Sequence, residues 1–374
     1  MENIKSEIEN LINTGATTGM AVSLGNHKKS EIVCSGYTSS DEKNAVDKTT
    51  ILDLASLTKL FLSLSYFLAS EGAKIDFDKT IAHYCGNKFA NIKEITLNEL
   101  FHFNCNLMTE KRITECDFND ALNQLYNIKQ GKVEKPIYSD MPALVLGMAF
   151  KDIFGIDFGS FINKEIIERL SLKNTFWGRN EKNTDNFMNY DNEIVIKNGQ
   201  LISHSQKPLV VNDKKAEILS DNGKYLCGNA GLFSTVEDMS KIGQAIINRK
   251  LLSDESLMTI ATGSDENFKQ RFGFLSYSKS PDEMLSEIYY KMSDNAFAMS
   301  GFTGTYLMID PVKNCYLFIG GNKLNKRVTF TDNQDLIMNG NKIAFGNKTY
   351  FYTKNYVYMR DNLRNKCCEL LLDD

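Results

Sequence analysis

The placement of the β-patterned stretches constrains this chain most: they lie near its two ends, with helical patterning between. Met20-Ala-Val-Ser-Leu24 and Glu31-Ile-Val-Cys-Ser35 read as two strands joined by the polar turn 25–30. Residues 272–277, 295–300, 305–310 and 315–320 read as successive antiparallel strands. A stretch over 335–352 has the pattern of an added hairpin, with Asn339-Gly340 as one turn signal, and 356–372 reads as a closing helix. Strands from the two ends can bury a common face by pairing in one sheet, which makes the middle of the chain an insertion. The expected class is α/β of the α+β type: an antiparallel sheet built from both termini and flanked by helices, with a mostly helical inserted subdomain. Residues 1–55 and 225–374 would form the α/β part and 56–224 the helical part of one domain spanning 1–374.

Within the insertion, 95–103, 117–126, 141–153 and 158–170 carry helical spacing, as does 235–248 further on. An amphipathic helix opens the chain, with Ile4, Ile8, Leu11 and Ile12 on its apolar face. From Ser56 to Ser70, Leu57, Leu60, Phe61, Leu64, Phe67 and Leu68 leave little polar circumference, so this helix should be buried. The stretch 180–222 is polar and weakly periodic, a long loop region with room for one short hairpin.

Charge narrows the partners. A formal net charge of −4, with Lys interleaved among Glu and Asp, leaves no basic stripe, so nucleic acid is not an expected partner. No run of 18 apolar residues points to a membrane span, and the charged opening lacks the features of a secretory signal, so the expected location is cytoplasmic. The eight Cys are scattered, and the four His (27, 83, 102 and 204) do not pair with them at ligand spacing, so neither metal nor cofactor is expected. Reduced thiols fit this pattern, with Cys367 and Cys368 the ones expected to be exposed near the chain end. Oligomeric state is left open.

Ser56-Leu57-Thr58-Lys59, at a strand-to-helix junction, is the sharpest chemical feature. A Ser hydroxyl needs a base to become a nucleophile, and a Lys three residues on projects from the same helix face. The helix N-terminus would favour developing negative charge, and an apolar wall around Lys59 would lower its pKa toward that of a useful base. Taken alone the tetrapeptide is weak, because a Ser at such a junction is often only an N-cap.

Its context is more specific. Thr50-Ile-Leu-Asp-Leu-Ala-Ser-Leu-Thr-Lys59 resembles the nucleophile segment of the serine β-lactamase and penicillin-binding-protein superfamily. The branch concerned is that of class C β-lactamases, D-alanyl-D-alanine carboxypeptidases and related esterases. Ile95–Leu100, Leu172-Lys-Asn-Thr-Phe176, Ala230-Gly-Leu-Phe-Ser-Thr235 with Asp238, Gly301-Phe-Thr-Gly-Thr305 and Ile309-Asp-Pro311 follow in the same order. The resemblance covers roughly residues 4–325 and implies a β-lactamase/transpeptidase-like fold. It also implies catalysis by Ser56, Lys59 and Tyr138, the last in Tyr138-Ser139-Asp140 at the place of the family's Tyr-x-Asn. The third motif corresponds to Met299-Ser300-Gly301, and the amide of Phe302 with that of Ser56 would form an oxyanion hole.

Two departures bear on substrate choice. Asp140 replaces an Asn; while ionised it cannot donate a hydrogen bond, but it could pair with Lys59 and keep it charged, or meet a cationic substrate group. Met299 replaces a Lys or His and removes a cation that relatives use to hold a substrate carboxylate. His102 stands where relatives carry a His-Thr-Ser-Gly turn, in altered surroundings, and reads as structural; Gly228-Asn229 replaces a common Gly-His. The leading reading is a serine hydrolase or acyltransferase acting on a small-molecule ester or amide without a terminal carboxylate. A non-catalytic binding protein on the same fold is the alternative, and a true class C-like β-lactamase comes third.

Overall fold

The structure is a computed structural model that describes residues 1–40, 44–73, 75–135, 137–178, 186–190, 193–204, 213–219, 227–262, 270–271, 274–276, 279, 287–325, 327–331, 337–338 and 342–373. Its main sheet joins the two ends of the chain. The strands are β1 (Gly19–Asn26), β2 (Ser30–Gly36), β3 (Gln270–Arg271), β4 (Leu275–Ser276), β5 (Phe297–Ser300), β6 (Tyr306–Asp310) and β7 (Cys315–Gly321). They lie in the order β3-β4-β5-β6-β7-β1-β2, antiparallel throughout. β1 pairs with β7 from Met20 opposite Gly321 to Asn26 opposite Cys315, so the N-terminal hairpin completes a sheet begun by the last third of the chain. β1, β6 and β7 are buried along their whole length, as strands covered on both faces must be. One expected strand, 272–277, is described only at 274–276, and of these Leu275–Ser276 form β4.

Helix α1 (Glu2–Asn13) buries Ile4, Ile8 and Leu11, the stripe expected of it. α2 (Thr58–Ser70) is buried continuously from Thr58 to Phe67. α3 (Met141–Phe154), buried from Pro142 to Phe150, packs beside it; Tyr66 of α2 donates a hydrogen bond to the Leu146 carbonyl at 2.9 Å. Tyr66 also meets the rings of Phe101, Phe150 and Phe154 edge-on at 5.0–5.4 Å. Full burial of each such side chain contributes about 1.5–3 kcal/mol, so this apolar pair of helices is a rigid base for the residues at its upper end. α4 (Val236–Ile247), N-capped by Thr235, covers β1 and β7, and α5 (Thr353–Asp373) closes the chain. Cys367 and Cys368 are fully buried, contrary to the exposure expected from their position, because α5 turns them into the core.

A second sheet was not legible as such. The expected short hairpin occurs at Glu193–Lys197 and Gln200–His204. The expected added hairpin occurs as Lys342–Phe345 against Lys348–Tyr352, and Ile337–Met338 pairs with the first of these; Asn339 and Gly340 lie outside the described residues. Strand Arg327–Thr331 joins the two hairpins by pairing parallel with Lys348–Tyr352 of one and Glu193–Lys197 of the other. Each hairpin is written in local alternation, but their meeting depends on a pairing across more than a hundred residues that no local pattern encodes.

Candidate active site

The nucleophile segment begins as a strand. Leu52–Asp53 pairs with Leu232–Ser234, which pairs in turn with Phe176–Trp177. Three of the short motifs thus become neighbours in one small sheet. Asp238 ties them further: its carboxylate accepts from the Asn174 amide at 2.7 Å and the Thr175 hydroxyl at 3.1 Å. After Asp53 the chain turns sharply. Ala55 takes a left-handed backbone (φ 47°), which costs a residue with a Cβ about 1 kcal/mol or more, and the Asp53 carboxylate holds its amide at 2.8 Å. Ser56 follows in a short 3₁₀ turn that runs into α2.

Two groups converge on Ser56. The Tyr138 hydroxyl donates to Ser56 Oγ at 2.9 Å, and Lys59 Nζ lies 3.0 Å from the same oxygen. Lys59 Nζ also sits 5.2 Å from the centroid of the Tyr138 ring. Tyr138 is 46% exposed and leans on Phe103, so it borders an open side of the site rather than the core.

Lys59 is fully buried, and its ammonium meets three acceptors: Ser56 Oγ, Asp140 Oδ1 at 2.7 Å and the Asn229 carbonyl at 3.0 Å. An ammonium has three donors, and here each has a partner. Burial works against the charge, but the adjacent Tyr138 oxygen and the Asp140 carboxylate outweigh it and hold the Lys59 pKa above its ordinary value. The expected lowering of this pKa is therefore reversed, because the wall around Lys59 is polar where it matters.

Asp140 stands at the N-cap position of α3 without making a cap; the Ser139 hydroxyl accepts from the Met141 amide instead. Its two oxygens go to two lysines, Oδ1 to Lys59 and Oδ2 to Lys215 at 3.1 Å. Burial alone would raise the Asp140 pKa, but the two ammonium groups hold it below the usual carboxylate value. Of the two uses open to Asp140, pairing with Lys59 is the one seen, and both oxygens are engaged without a substrate amine. Lys215 lies in the stretch read as loop and had no motif to mark it. Its one local signal is Asp213, which caps the short helix Lys214–Leu219 by accepting from the Ala216 amide at 3.0 Å.

The third motif approaches from the main sheet. Ser300 ends β5, and the turn 301–305 is fastened under the nucleophile segment. Thr303 donates to the Asp53 carbonyl at 2.7 Å, and Thr305 to the Leu54 carbonyl at 3.1 Å. A Cβ on Gly301 would lie 2.6 Å from that Leu54 carbonyl and 2.1 Å from Thr305 Oγ1, so the approach requires glycine. Among the described residues neither the Ser56 nor the Phe302 amide donates a hydrogen bond, which leaves both N–H groups free to bind an oxyanion. Met299 is 6% exposed and brings no charge. Ser300 Oγ is bonded at 3.2 Å both to Glu287 and to Arg360 of α5. Arg360 was not foreseen, since α5 is remote in sequence, and it does not replace the lost cation: it is buried against Asp361 at 2.8 Å. His102 bonds through Nδ1 to the Asn98 carbonyl at 2.8 Å.

The described residues hold no group of three or more His, Cys, Asp or Glu placed to bind a metal. No helix among them is long and apolar enough to cross a membrane.

Known proteins share this arrangement of chain. The Bacillus subtilis (strain 168) protein described as N-acetylmuramyl-L-alanine amidase is 25% identical over 226 residues, 56% of this chain and 49% of that one, so the match spans about half that relative's length. Among solved structures, EstCE1, "a hydrolase with promiscuous acyltransferase activity", superposes with a TM-score of 0.67 at 15% identity, covering 97% of this chain and 98% of that one. The class C β-lactamase from Rhodobacter sphaeroides gives the same TM-score, identity and coverage. The two structures establish a shared β-lactamase/transpeptidase-like fold. Membership follows from the family model described as Beta-lactamase, which matches residues 4–341: the chain belongs to the beta-lactamase family.

Proposed function

We propose that this chain is a serine hydrolase or acyltransferase that works on an ester or amide through an acyl-enzyme on Ser56. The observation that carries the proposal is the convergence of Tyr138 Oη and Lys59 Nζ on Ser56 Oγ, at 2.9 and 3.0 Å. Ser56 Oγ attacks the acyl carbon as its proton leaves. With three acceptors around it, the Lys59 ammonium has no lone pair to offer that proton. Tyr138 is then the acceptor: it first gives its own hydroxyl proton to solvent on its exposed side, and the ionised oxygen, with the positive charge of Lys59 beside it, takes up the Ser56 proton. The carbonyl oxygen becomes an oxyanion bound by the Ser56 and Phe302 amides. Its collapse breaks the bond to the leaving group, which takes the proton from Tyr138. Water or another acceptor then removes the acyl group by the reverse sequence.

The proposed division, 1–55 with 225–374 against 56–224, puts this chemistry where the two parts meet. Met299 and the engaged Arg360 favour a substrate without a terminal carboxylate, and the exposed rings of Tyr138 and Phe302 offer it an apolar rim. Relatives include proteins named as amidase, hydrolase and β-lactamase, all of which transfer or hydrolyse acyl groups.

The test is p-nitrophenyl acetate turnover. An initial burst of nitrophenol should appear, vanish in Ser56→Ala, and fall by about 100-fold or more in Tyr138→Phe, the usual scale of a lost general base. A protein with no burst and no turnover would be the binding protein of the alternative reading.

A further inference from the structure

Asp140 does not face Lys59 alone. Its Oδ2 lies 3.1 Å from Lys215 Nζ, and Lys215 Nζ lies 2.9 Å from Asp213 Oδ2. Asp213 Oδ1 accepts from the Asn229 side-chain amide at 3.1 Å, and the Asn229 carbonyl returns to Lys59 at 3.0 Å. The contacts close a ring that begins and ends on the ammonium beside the nucleophile. It contains two cations and two anions in alternation, with Asn229 as the neutral link. Lys215 and Asp140 are only 20% and 22% exposed, so solvent screens this arrangement weakly.

We infer that Lys215 is a positioning residue for the Ser56 site: by occupying one oxygen of Asp140 it fixes that carboxylate between two ammonium groups and limits how tightly Lys59 keeps its proton. The inference rests on the proposed role of Ser56. The physical reason is the division of one negative charge. With Lys215 present, Asp140 answers two cations at once; without it, the carboxylate belongs to Lys59 alone. The charged and titratable groups facing Lys59 are Tyr138 and Asp140 from the segment entering α3, with Asp213 and Lys215 behind them from the segment 213–219. The turn 227–231 contributes only the uncharged Asn229.

A merely structural Lys215 predicts something different. Lys215→Met and Asp213→Asn break the same contact, so damage to the fold would move both variants alike. Their charges are opposite, so an electrostatic role moves them apart. Losing the Lys215 cation strengthens the hold of Asp140 on Lys59; losing the Asp213 anion leaves Lys215 more fully on Asp140 and weakens it.

The experiment measures the rate of Ser56 modification by a fluorophosphonate against pH, in the full chain, with folding checked by circular dichroism. The alkaline limb of the profile, where Lys59 gives up the charge that Tyr138 needs beside it, should move up by about one pH unit in Lys215→Met and down in Asp213→Asn, a change of about tenfold in rate on that limb. Lys215→Arg should restore the wild-type limb. Wild type that reacts at Ser56 while both variants keep its limb, or shift it in one direction, overturns the role of Lys215 and leaves the nucleophile intact. Wild type that never reacts overturns both. Should Lys215→Met fail to fold, Asp213→Asn and Lys215→Arg still decide the sign.

Discussion

Lys59 Nζ and Asp140 Oδ1 lie 2.7 Å apart, with the ammonium wholly enclosed and the carboxylate 22% exposed. Enclosure without a counter-ion would cost several kcal/mol, so the pair is a condition for Lys59 to sit charged at this depth. Asp140→Ala should therefore destabilise the fold by about 3 kcal/mol, the scale for breaking a buried pair from one side. Adding Lys59→Met should recover most of that loss, since an apolar replacement leaves no charge to solvate. Urea unfolding of the two variants checks this; a double variant no more stable than the single one would show that the pair is not what is lost.

The same pair gives stability a defined pH window. Lys59 has a folded pKa above 10.5, so its contribution is complete below 10.5 and is lost as pH rises through the folded value. Asp140 has a folded pKa below 3.8, so its contribution is present above 3.8 and is lost as pH falls through the folded value. The stability difference between wild type and Asp140→Asn should be level between these limits and shrink at both ends. Urea midpoints collected across pH measure it, and a difference that persists undiminished into acid would contradict the account.

Gly301→Ala tests the close approach beneath the nucleophile. The added carbon meets the Leu54 carbonyl and Thr305 Oγ1, both in the contact that fastens the turn. Relief requires the turn to move, at about 1–3 kcal/mol for overpacking, and the Phe302 amide moves with it. Ester turnover should fall by about 100-fold, the cost of one misplaced oxyanion donor, while the protein still folds. Unchanged turnover would remove Phe302 from the oxyanion hole.

Met299 should set the preference against carboxylate-bearing substrates. Wild type should turn over nitrocefin poorly, and Met299→His should improve it by about tenfold, the value of one charge-assisted hydrogen bond. Efficient nitrocefin hydrolysis by wild type would reverse this ranking of substrates.

The thiols should be inert in the folded protein. Cys34 and Cys85 are the half-buried ones, with burial pushing their pKa values up to about 11 and about 12. Cys367 and Cys368 are fully buried and also pushed up. Dithiobis-nitrobenzoate should react slowly at the first two and reach the last two only on unfolding. Rapid labelling of Cys367 or Cys368 in the native protein would mean that α5 opens.

The main sheet was legible because alternation is local and the two ends of the chain carry it. Ser56, Lys59 and Tyr138 were legible because a motif preserves their order, although only the fold brings residue 138 to within a hydrogen bond of residue 56. What the sequence left open is the balance of the surrounding electrostatics: it offered both an apolar wall that would depress the Lys59 pKa and an Asp140 that could keep Lys59 charged. The chain around Lys59 is apolar, which argued for a depressed pKa; the groups that decide it, Tyr138 and Asp140, come from a different segment. Lys215 and Arg360 were invisible for the same reason: each reaches the site from an element whose own pattern says nothing about it.

The most direct test of a nucleophilic Ser56 is mass spectrometry of the protein after fluorophosphonate treatment. A single adduct on the peptide carrying Ser56, absent from Ser56→Ala, is the predicted result. No adduct on wild type, or one that survives in Ser56→Ala, would contradict it.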